Sequence, residues 1–375
     1  MTAKKRILFL LPQLKQGGAE RVVLNLIKGI DRARFMPCIA WFHGKVIYPF
    51  SELKDIPLFP LNKRNGFDLK VMAAIYNIIQ RENIKLVNPH HFMPLFYAFP
   101  ACKWSKAKIV YTEHSIWEVA QITGLWRMMS QFLLRKTDGV VGVSPEIAKF
   151  LKKKYGLPER RVHAVSNGID THLFAPNNAS NAFRKAIGLD EHDIAIGMTG
   201  NFRKVKNHAL LIDAFSLVSS QSPEARLVLI GQGFPGDTEN TEKDIHALIQ
   251  NSGLEEKVMF LGYRDDVHRV LQCLDIFCLT SFREGLPLSL LEAMACGLPV
   301  VGTNVEGIRI VIDSGRNGFL VNPYDSAGLA TTLMSLLSDK RLRERMGKEG
   351  RKDAVKYYSL TCFSGQYNQL FASLL

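Results

Sequence analysis

What this sequence lacks narrows its function early. No apolar stretch approaches the 18 or so residues that span a bilayer, so no transmembrane helix is expected. The six cysteines (Cys38, Cys102, Cys273, Cys278, Cys296 and Cys362) form no CxxC pair. That removes the common zinc and thiol-redox motifs and leaves reduced structural thiols as the expectation. No repeat recurs at a solenoid period. No recognised nucleic-acid motif accompanies the basic residues, so nucleic acid is not an expected partner. Asp265-Asp266 lacks the spacing of a metal-binding DxD motif and is expected to cap a helix. The opening MTAKKRILFLLPQLKQGG has a basic start, but its apolar run, Ile7 to Leu11, ends at Pro12 with no small-residue cleavage site. A buried first strand fits it better than a secretory leader, and a cytoplasmic location is expected.

What is present begins with size. A chain of 375 residues exceeds one ordinary core, so two domains are expected, and 47% apolar residues can fill both. Disorder is excluded at that hydrophobic content. The net charge of +13 is unevenly spread: residues 1–175 carry 27 Lys+Arg against 12 Asp+Glu, the remainder 21 against 23. A basic first half suits anionic lipid headgroups or a phosphate-bearing acceptor; a surface that only maintains solubility is the alternative.

Strand-like runs alternate with helical patterns, the signature of βαβ units and parallel sheets. In the first half the strands are read at 6–11, 37–42, 85–90, 108–113, 139–144 and 161–166; in the second at 194–200, 226–231, 258–262, 276–281, 299–303 and 318–322. Helices are read, for example, at 19–30, 69–82, 208–220, 242–251, 267–273, 288–295 and 326–337. The segment NGIDTHLFAPNNASNAF interrupts the pattern and reads as a linker. The expected organisation is an α/β chain with a first Rossmann-like domain at 1–170, a linker at 171–190, a second at 191–355, and a terminal helix at 356–375 crossing back to the first domain.

Three βα loops carry chemistry. Gly17-Gly18-Ala19-Glu20-Arg21 follows the first strand and opens a helix, where free N–H groups meet an anion and glycine lets backbone approach it. The stretch from Ser281 to Pro299 again joins a strand to a helix. It holds Glu284 in the loop and Glu292 about two helical turns on, so both can face one ligand. Carboxylates suit paired sugar hydroxyls, and the amides of Gly285, Leu286 and Leu288 suit a phosphate, whereas Pro287 cannot donate. In the third loop, from Gly200 to His208, Arg203 and Lys206 suit a diphosphate leaving group whose charge grows as its bond breaks. His90 and His91 end another strand, could line an acceptor site, and have no metal-ligating partners at suitable spacing. Trp117, Trp126, Met128, Met129, Phe132, Leu133 and Leu134, interleaved with Arg127, Arg135 and Lys136, read either as a basic helix on a membrane surface or as a stripe packed into its own domain.

The phrase SFREGLPLSLLEAMACGLPVV resembles the E-x7-E signature of retaining glycosyltransferase family 4, which has the GT-B fold. GGAER, SNGID, RKVKNHALLIDAF, FLGYRDDV and NGFLVNP are similar to further family motifs in the same order. The resemblance implies two Rossmann-like domains facing across a cleft, a nucleotide-diphosphate sugar donor, and no cofactor or metal. It implies backbone contacts to phosphate or acceptor at Gly17 and Gly18, and a diphosphate neutralised by Arg203 and Lys206. Glu284 would hold the transferred sugar, Glu292 the donor ribose, and His114 (in YTEHS) would lie beside the donor sugar, with the base near Tyr263 and Arg264. Family members often have Gly-Arg where this chain has Gly200-Asn201, and Gly-Gly-x-x-Glu where it has Glu306-Gly307-Ile308-Arg309-Ile310. The implied acceptor is a glycan or polyprenyl-diphosphate-linked saccharide, and the implied location the inner face of the cytoplasmic membrane. A sugar-nucleotide epimerase, a phosphorylase and a non-catalytic sugar-nucleotide-binding subunit are the alternatives.

Overall fold

The computed structural model describes residues 4–15, 17–44, 46, 53–176 and 181–375. Two compact units divide the chain: residues 1–168 together with 360–375, and residues 169–359. Among the described residues the first unit holds seven strands: β1 (Lys5–Gln13), β2 (Phe35–His43), β3 (Leu58–Pro60), β4 (Ile84–Pro89), β5 (Lys108–Glu113), β6 (Gly139–Gly142) and β7 (Val162–Ala164). They form one sheet in the order β3-β2-β1-β4-β5-β6-β7. The second unit holds β8 (Ile194–Thr199), β9 (Ala225–Ile230), β10 (Val258–Phe260), β11 (Ile276–Leu279), β12 (Val300–Thr303) and β13 (Gly318–Val321), in the order β10-β9-β8-β11-β12-β13. Both sheets are parallel throughout.

Central parallel strands are covered on both faces, so they read as unbroken apolar runs rather than alternating ones. Ile7 through Leu11 are fully buried, and so are Phe277, Cys278 and Leu279 on β11. All six cysteines are free thiols, five of them buried. The strand β3 has no counterpart in the sequence reading. It is three residues long and ends on Pro60 at the sheet's margin, where a missing N–H costs no ladder bond.

The helix Leu360–Leu374 belongs to the first unit and lies against the helix Gly18–Gly29. Their approach leaves no room for a side chain at Gly29, where an added Cβ would lie 2.5 Å from Ser364 Oγ. Phe371 packs on Phe9 and Phe35, and the Tyr367 hydroxyl meets Thr112 Oγ1 at 3.1 Å.

The segment read as a linker, 171–190, is instead part of the second unit, though positions 177–180 lie outside the described residues. Its helix Asn181–Ala186 is held by Arg184, which donates to the carbonyls of Cys273 and Asp193. Arg351 donates to the carbonyls of Thr171 and Phe174. A composition rich in Asn and Pro marks irregular backbone, and these guanidinium bonds are what fasten it.

One buried group makes the second unit sensitive to acid. His208 opens the helix His208–Ser219 but is only 3% exposed, packs edge-on against Phe202, and finds no hydrogen-bond partner for either ring nitrogen. Burial, then the charge of Lys206, pushes its pKa down to about 3. A histidine that stays neutral when folded but protonates when unfolded favours the fold fully above its ordinary pKa. That contribution is lost as pH falls from about 6.5 toward 3. Urea titrations across that range should show stability falling in the wild type by up to a few kcal/mol more than in His208→Phe.

Candidate functional site

In open parallel sheets, ligands gather at the carboxyl ends of the strands, beside the point where strand order reverses. The second sheet reverses between β8 and β11, and the loops leaving these two strands are joined. Phe282 N donates to Val205 O at 2.9 Å, and Thr280 Oγ1 donates to the carbonyls of Lys206 and Asn207. The side chains complete the junction. Lys206 Nζ lies 2.6 Å from Glu284 Oε1, and Ser281 Oγ donates to the same oxygen at 2.6 Å. A half-buried ammonium and carboxylate thus sit together at the end of the sheet, as charges do when paired and hydrogen-bonded.

The loop after β12 fixes this arrangement from the other side. A Cβ on Gly307 would stand 2.5 Å from Glu284 O and 2.6 Å from Gly285 O, so only glycine fits against that backbone. In the sequence this loop stands out as a departure from the family's Gly-Gly-x-x-Glu, and the role of Gly307 against Glu284 was not legible there. Thr303 Oγ1 donates to Ser281 O and ties the same loop down. Beyond Glu284, Gly285 and Leu288 are half-buried, Leu286 is buried, and Pro287 stands at the N-cap of the helix Leu288–Ala295 with no side-chain cap of its own. Glu292 lies half-buried within that helix.

Arg203 and the two residues expected near the base have other neighbours. Arg203 forms an ion pair with Asp237 at 2.8 Å, a carboxylate not singled out in the sequence. Arg264 makes a two-pronged pair with Asp266, both bonds 2.7 Å, and lies over the Phe183 ring. Asp266 does hold the N-cap position of the helix Val267–Leu271 but makes no side-chain cap bond, because Arg264 occupies its carboxylate. The expectation of a capping aspartate is corrected accordingly. Tyr263 is largely exposed.

The first sheet reverses between β1 and β4, and here a second cluster forms, within the first unit. Gly17 is the N-cap of the helix Gly18–Gly29, and a Cβ there would lie 2.2 Å from Glu20 Oε2. The glycine therefore makes room for Glu20, a buried acid whose pKa is raised by burial. Gly18 faces open space. After β4, His91 adopts a left-handed backbone, φ 70°, at the start of the helix Phe92–Ser105. Its Nδ1 lies 3.4 Å from Glu113 Oε1 and 3.1 Å from Glu118 Oε2. The other Glu113 oxygen accepts from the Tyr111 hydroxyl, while Oε1 also accepts the amides of His114 and Ser115. His90 Nδ1 meets His114 Nε2 at 2.8 Å, with the two rings stacked 5.0 Å apart.

Charge is partitioned sharply within this cluster. Burial works against a charged His91, but Glu113 and Glu118 outweigh it and raise its pKa to about 10. Burial and then the His91 charge push His90 down to about 3 and His114 well below its ordinary value. One imidazolium thus stands beside two neutral imidazoles. The sequence spacing offered His91 no metal-ligating partners. In the fold Glu113 and Glu118 do come to it, the three donor atoms within 4.8 Å of one another. The two carboxylates beside it favour the charged form of His91.

Comparison with known proteins places these sites in context. The family model described as glycosyl transferases group 1 matches residues 179–353, and that of glycosyltransferase family 4 matches residues 16–173. The N-acetyl-alpha-D-glucosaminyl L-malate synthase of Bacillus anthracis is 29% identical over 89% of this chain and 84% of its own length. The UDP-Gal:alpha-D-GlcNAc-diphosphoundecaprenol alpha-1,3-galactosyltransferase of Escherichia coli is 23% identical over 78% of this chain and 76% of its own. Anabaena HepE, solved with UDP and glucose, superposes with a TM-score of 0.87 over 98% of this chain and 100% of that one, at 22% identity. That likeness establishes the fold, two Rossmann-like domains of the GT-B type. With both halves matched in tandem and the E-x7-E stretch on the loop after β11, the chain belongs to glycosyltransferase family 4.

Proposed function

We propose that this glycosyltransferase moves a hexosyl or N-acetylhexosaminyl unit, with retention, from a UDP-sugar to a hydroxyl of a glycan or lipid-linked saccharide. The observation that carries the reading is the Lys206–Glu284–Ser281 group at the switch point of the second sheet. Lys206, with Arg203 on the same loop, neutralises the diphosphate as the bond to the anomeric carbon breaks. Glu284 accepts sugar hydroxyls, the Gly285, Leu286 and Leu288 amides face phosphate, and Glu292 accepts the ribose hydroxyls. The base rests near Tyr263 and Arg264.

The UDP choice rests on the E. coli relative and on HepE. Among the described residues this reading assigns no carboxylate as a covalent nucleophile, so the acceptor hydroxyl attacks from the face the diphosphate leaves. Its proton passes to the departing phosphate oxygen. Since lysine and arginine carry the neutralising charge, no metal is required. In the first unit, Gly17 and Gly18 approach phosphate or acceptor, His91 borders the acceptor, and His114 contacts the sugar; His90, expected to line the acceptor site, is fully buried and reaches it only through His114.

The basic first half further suits an anionic membrane surface. The helix Gly124–Arg135 buries Ser130, Leu133 and Leu134 but exposes Leu125, Trp126, Met128 and Phe132, with Arg127, Arg135 and Lys136 beside them. Among the described residues no helix is long and apolar enough to cross a membrane. The proposal is therefore interfacial attachment at the inner face of the cytoplasmic membrane.

Four measurements test these readings. In a thermal-shift series, UDP-sugars should stabilise the protein more than GDP- or ADP-sugars, because a ligand that binds only the folded state raises its melting point. Transfer to a diphosphoundecaprenol-linked N-acetylglucosamine should then give an α-linked product, with the rate unchanged by EDTA. Lys206→Ala and Glu284→Ala should each lower kcat at least a hundredfold in a folded protein. Gly307→Ala, which displaces the Glu284 backbone, should lower it too, and normal turnover in all three would remove the site assignment. Flotation with anionic vesicles at low salt should retain the wild type and lose a Trp126→Ser, Phe132→Ser variant.

A further inference from the structure

The cluster in the first unit contains hydrogen bonds whose direction is dictated by chemistry. We infer that Asn88 and His90 are positioning residues that fix His114 as the Nε2–H tautomer, leaving Nδ1 as a bare acceptor for a sugar hydroxyl. The ligand half of this inference rests on the role proposed above for His114; the tautomer does not.

The chain of bonds begins at a group that can only accept. Val110 O is a backbone carbonyl, so the Asn88 atom against it must be the amide nitrogen, which also reaches Thr112 Oγ1 at 3.0 Å. The remaining Asn88 atom is therefore oxygen, and it lies 3.2 Å from His90 Nε2. An oxygen there requires His90 Nε2 to carry the hydrogen. A neutral His90 then has an unprotonated Nδ1, which must accept from the His114 nitrogen 2.8 Å away. Hence His114 Nε2 is the donor. A neutral His114 cannot also carry hydrogen on Nδ1, and among the described residues no hydrogen-bond partner meets that atom.

Neutrality of both rings is enforced by the surroundings. Asn88 and His90 are fully buried and His114 half-buried. His91, at the start of the helix Phe92–Ser105, presents the local positive charge, its ring centre 5.0 Å from that of His114. Glu113 and Tyr111 on β5, Glu118 on the helix Ile116–Gln121, and Glu20 and Lys15 beyond β1 complete the charged and titratable groups of the cluster. Both carboxylates lie within ion-pair distance of His91 Nδ1, which favours the proton on His91 and a neutral His114. Glu113 touches His114 only through its backbone amide.

The arrangement has a stated chemical consequence. A histidine locked this way accepts from a hydroxyl and offers no hydrogen to it through Nδ1. The rotated tautomer would present N–H to the same hydroxyl and orient it differently.

Nitrogen NMR of the full chain, labelled at histidine with 15N, reads the tautomer directly near neutral pH, with His114→Gln assigning the signals. The expected result is a protonated Nε2 and a bare Nδ1 at His114. His90→Phe removes the acceptor and should move both nitrogens toward an averaged tautomer. His90→Asn places an oxygen near the lost Nδ1 and should restore the wild-type pattern. A merely structural His90 would leave the His114 tautomer unmoved in a folded variant. Should His90→Phe fail to fold, the wild-type spectrum still decides. An Nδ1–H or doubly protonated His114 there overturns the inference, as does an unchanged tautomer in folded His90→Phe.

For the ligand half, UDP-glucose and UDP-N-acetylglucosamine are compared with UDP. A sugar nucleotide should shift the His114 Nδ1 signal where UDP does not, and His90→Phe should raise its KM about three- to tenfold, the worth of one hydrogen bond. A sugar nucleotide that raises the melting point yet leaves the His114 nitrogens unmoved overturns the hydroxyl assignment. If no sugar nucleotide stabilises the protein, the UDP-sugar reading and the hydroxyl assignment fall together. The tautomer, measured without ligand, stands apart from that outcome.

Discussion

The pairing of Lys206 with Glu284 governs the second unit, because it converts two loops into one surface. The loops leave adjacent strands at the switch point, and backbone bonds from Phe282 and Thr280 already hold them in register. Each charge is then half-covered by protein, so neither keeps a full hydration shell and each depends on the other. On the proposed function, an arriving diphosphate would meet a lysine already positioned, and the carboxylate it would compete with is the group proposed to hold the sugar. Gly307 sets the height of this surface by letting the loop after β12 rest against the backbone of Glu284 and Gly285.

In the first unit the same topological position serves a different electrostatic purpose. There the carboxylates surround a histidine, and His91 absorbs the proton that would otherwise be shared among three rings. The left-handed backbone at His91 is the local strain that aims it at Glu113. One unit therefore presents a paired ammonium and carboxylate, the other a buried imidazolium flanked by neutral acceptors. Much of the basic excess of the first half lies on exposed surface such as Arg127, Arg135 and Lys136, whereas this cluster is built mainly of histidines and acids, with Lys15 nearby.

Much of the fold was legible in the sequence because buried parallel strands advertise themselves. Runs such as RILFLL and KIVYTE admit few other readings, and the helix after Leu288 carried its own motif. The edge strand Leu58–Pro60 was not legible, since three residues ending in proline have no periodicity to detect. For the candidate site, the E-x7-E phrase singled out Glu284 and the basic loop singled out Lys206, and the fold brings the two together. Their partners stayed hidden because each is defined by distance in space. Ser281 lies within the same phrase but nothing marks its hydroxyl as a donor to Glu284, nothing near Gly307 marks it as a neighbour of that residue, and Asp237 stands 34 positions from the arginine it holds. The His91 pairing with Glu113 and Glu118 was likewise out of reach, as it joins the ends of β4 and β5 with a short helix beyond. Composition also misled, where an Asn- and Pro-rich stretch resembled a linker but is fastened by Arg184 and Arg351.

The helix Leu360–Leu374 makes the first unit discontinuous along the chain. Phe371 and Tyr367 complete a core whose other walls, Phe9, Phe35 and Thr112, are laid down in the first third of the sequence. During synthesis the ribosome delivers the whole of residues 169–359 before that missing wall exists. The opening Rossmann-like sheet must therefore wait, with apolar surface uncovered, while the later one can already close. Order of maturation is thus the reverse of order of translation, and a chain that stalls after residue 359 carries a finished second unit attached to an unsealed first one.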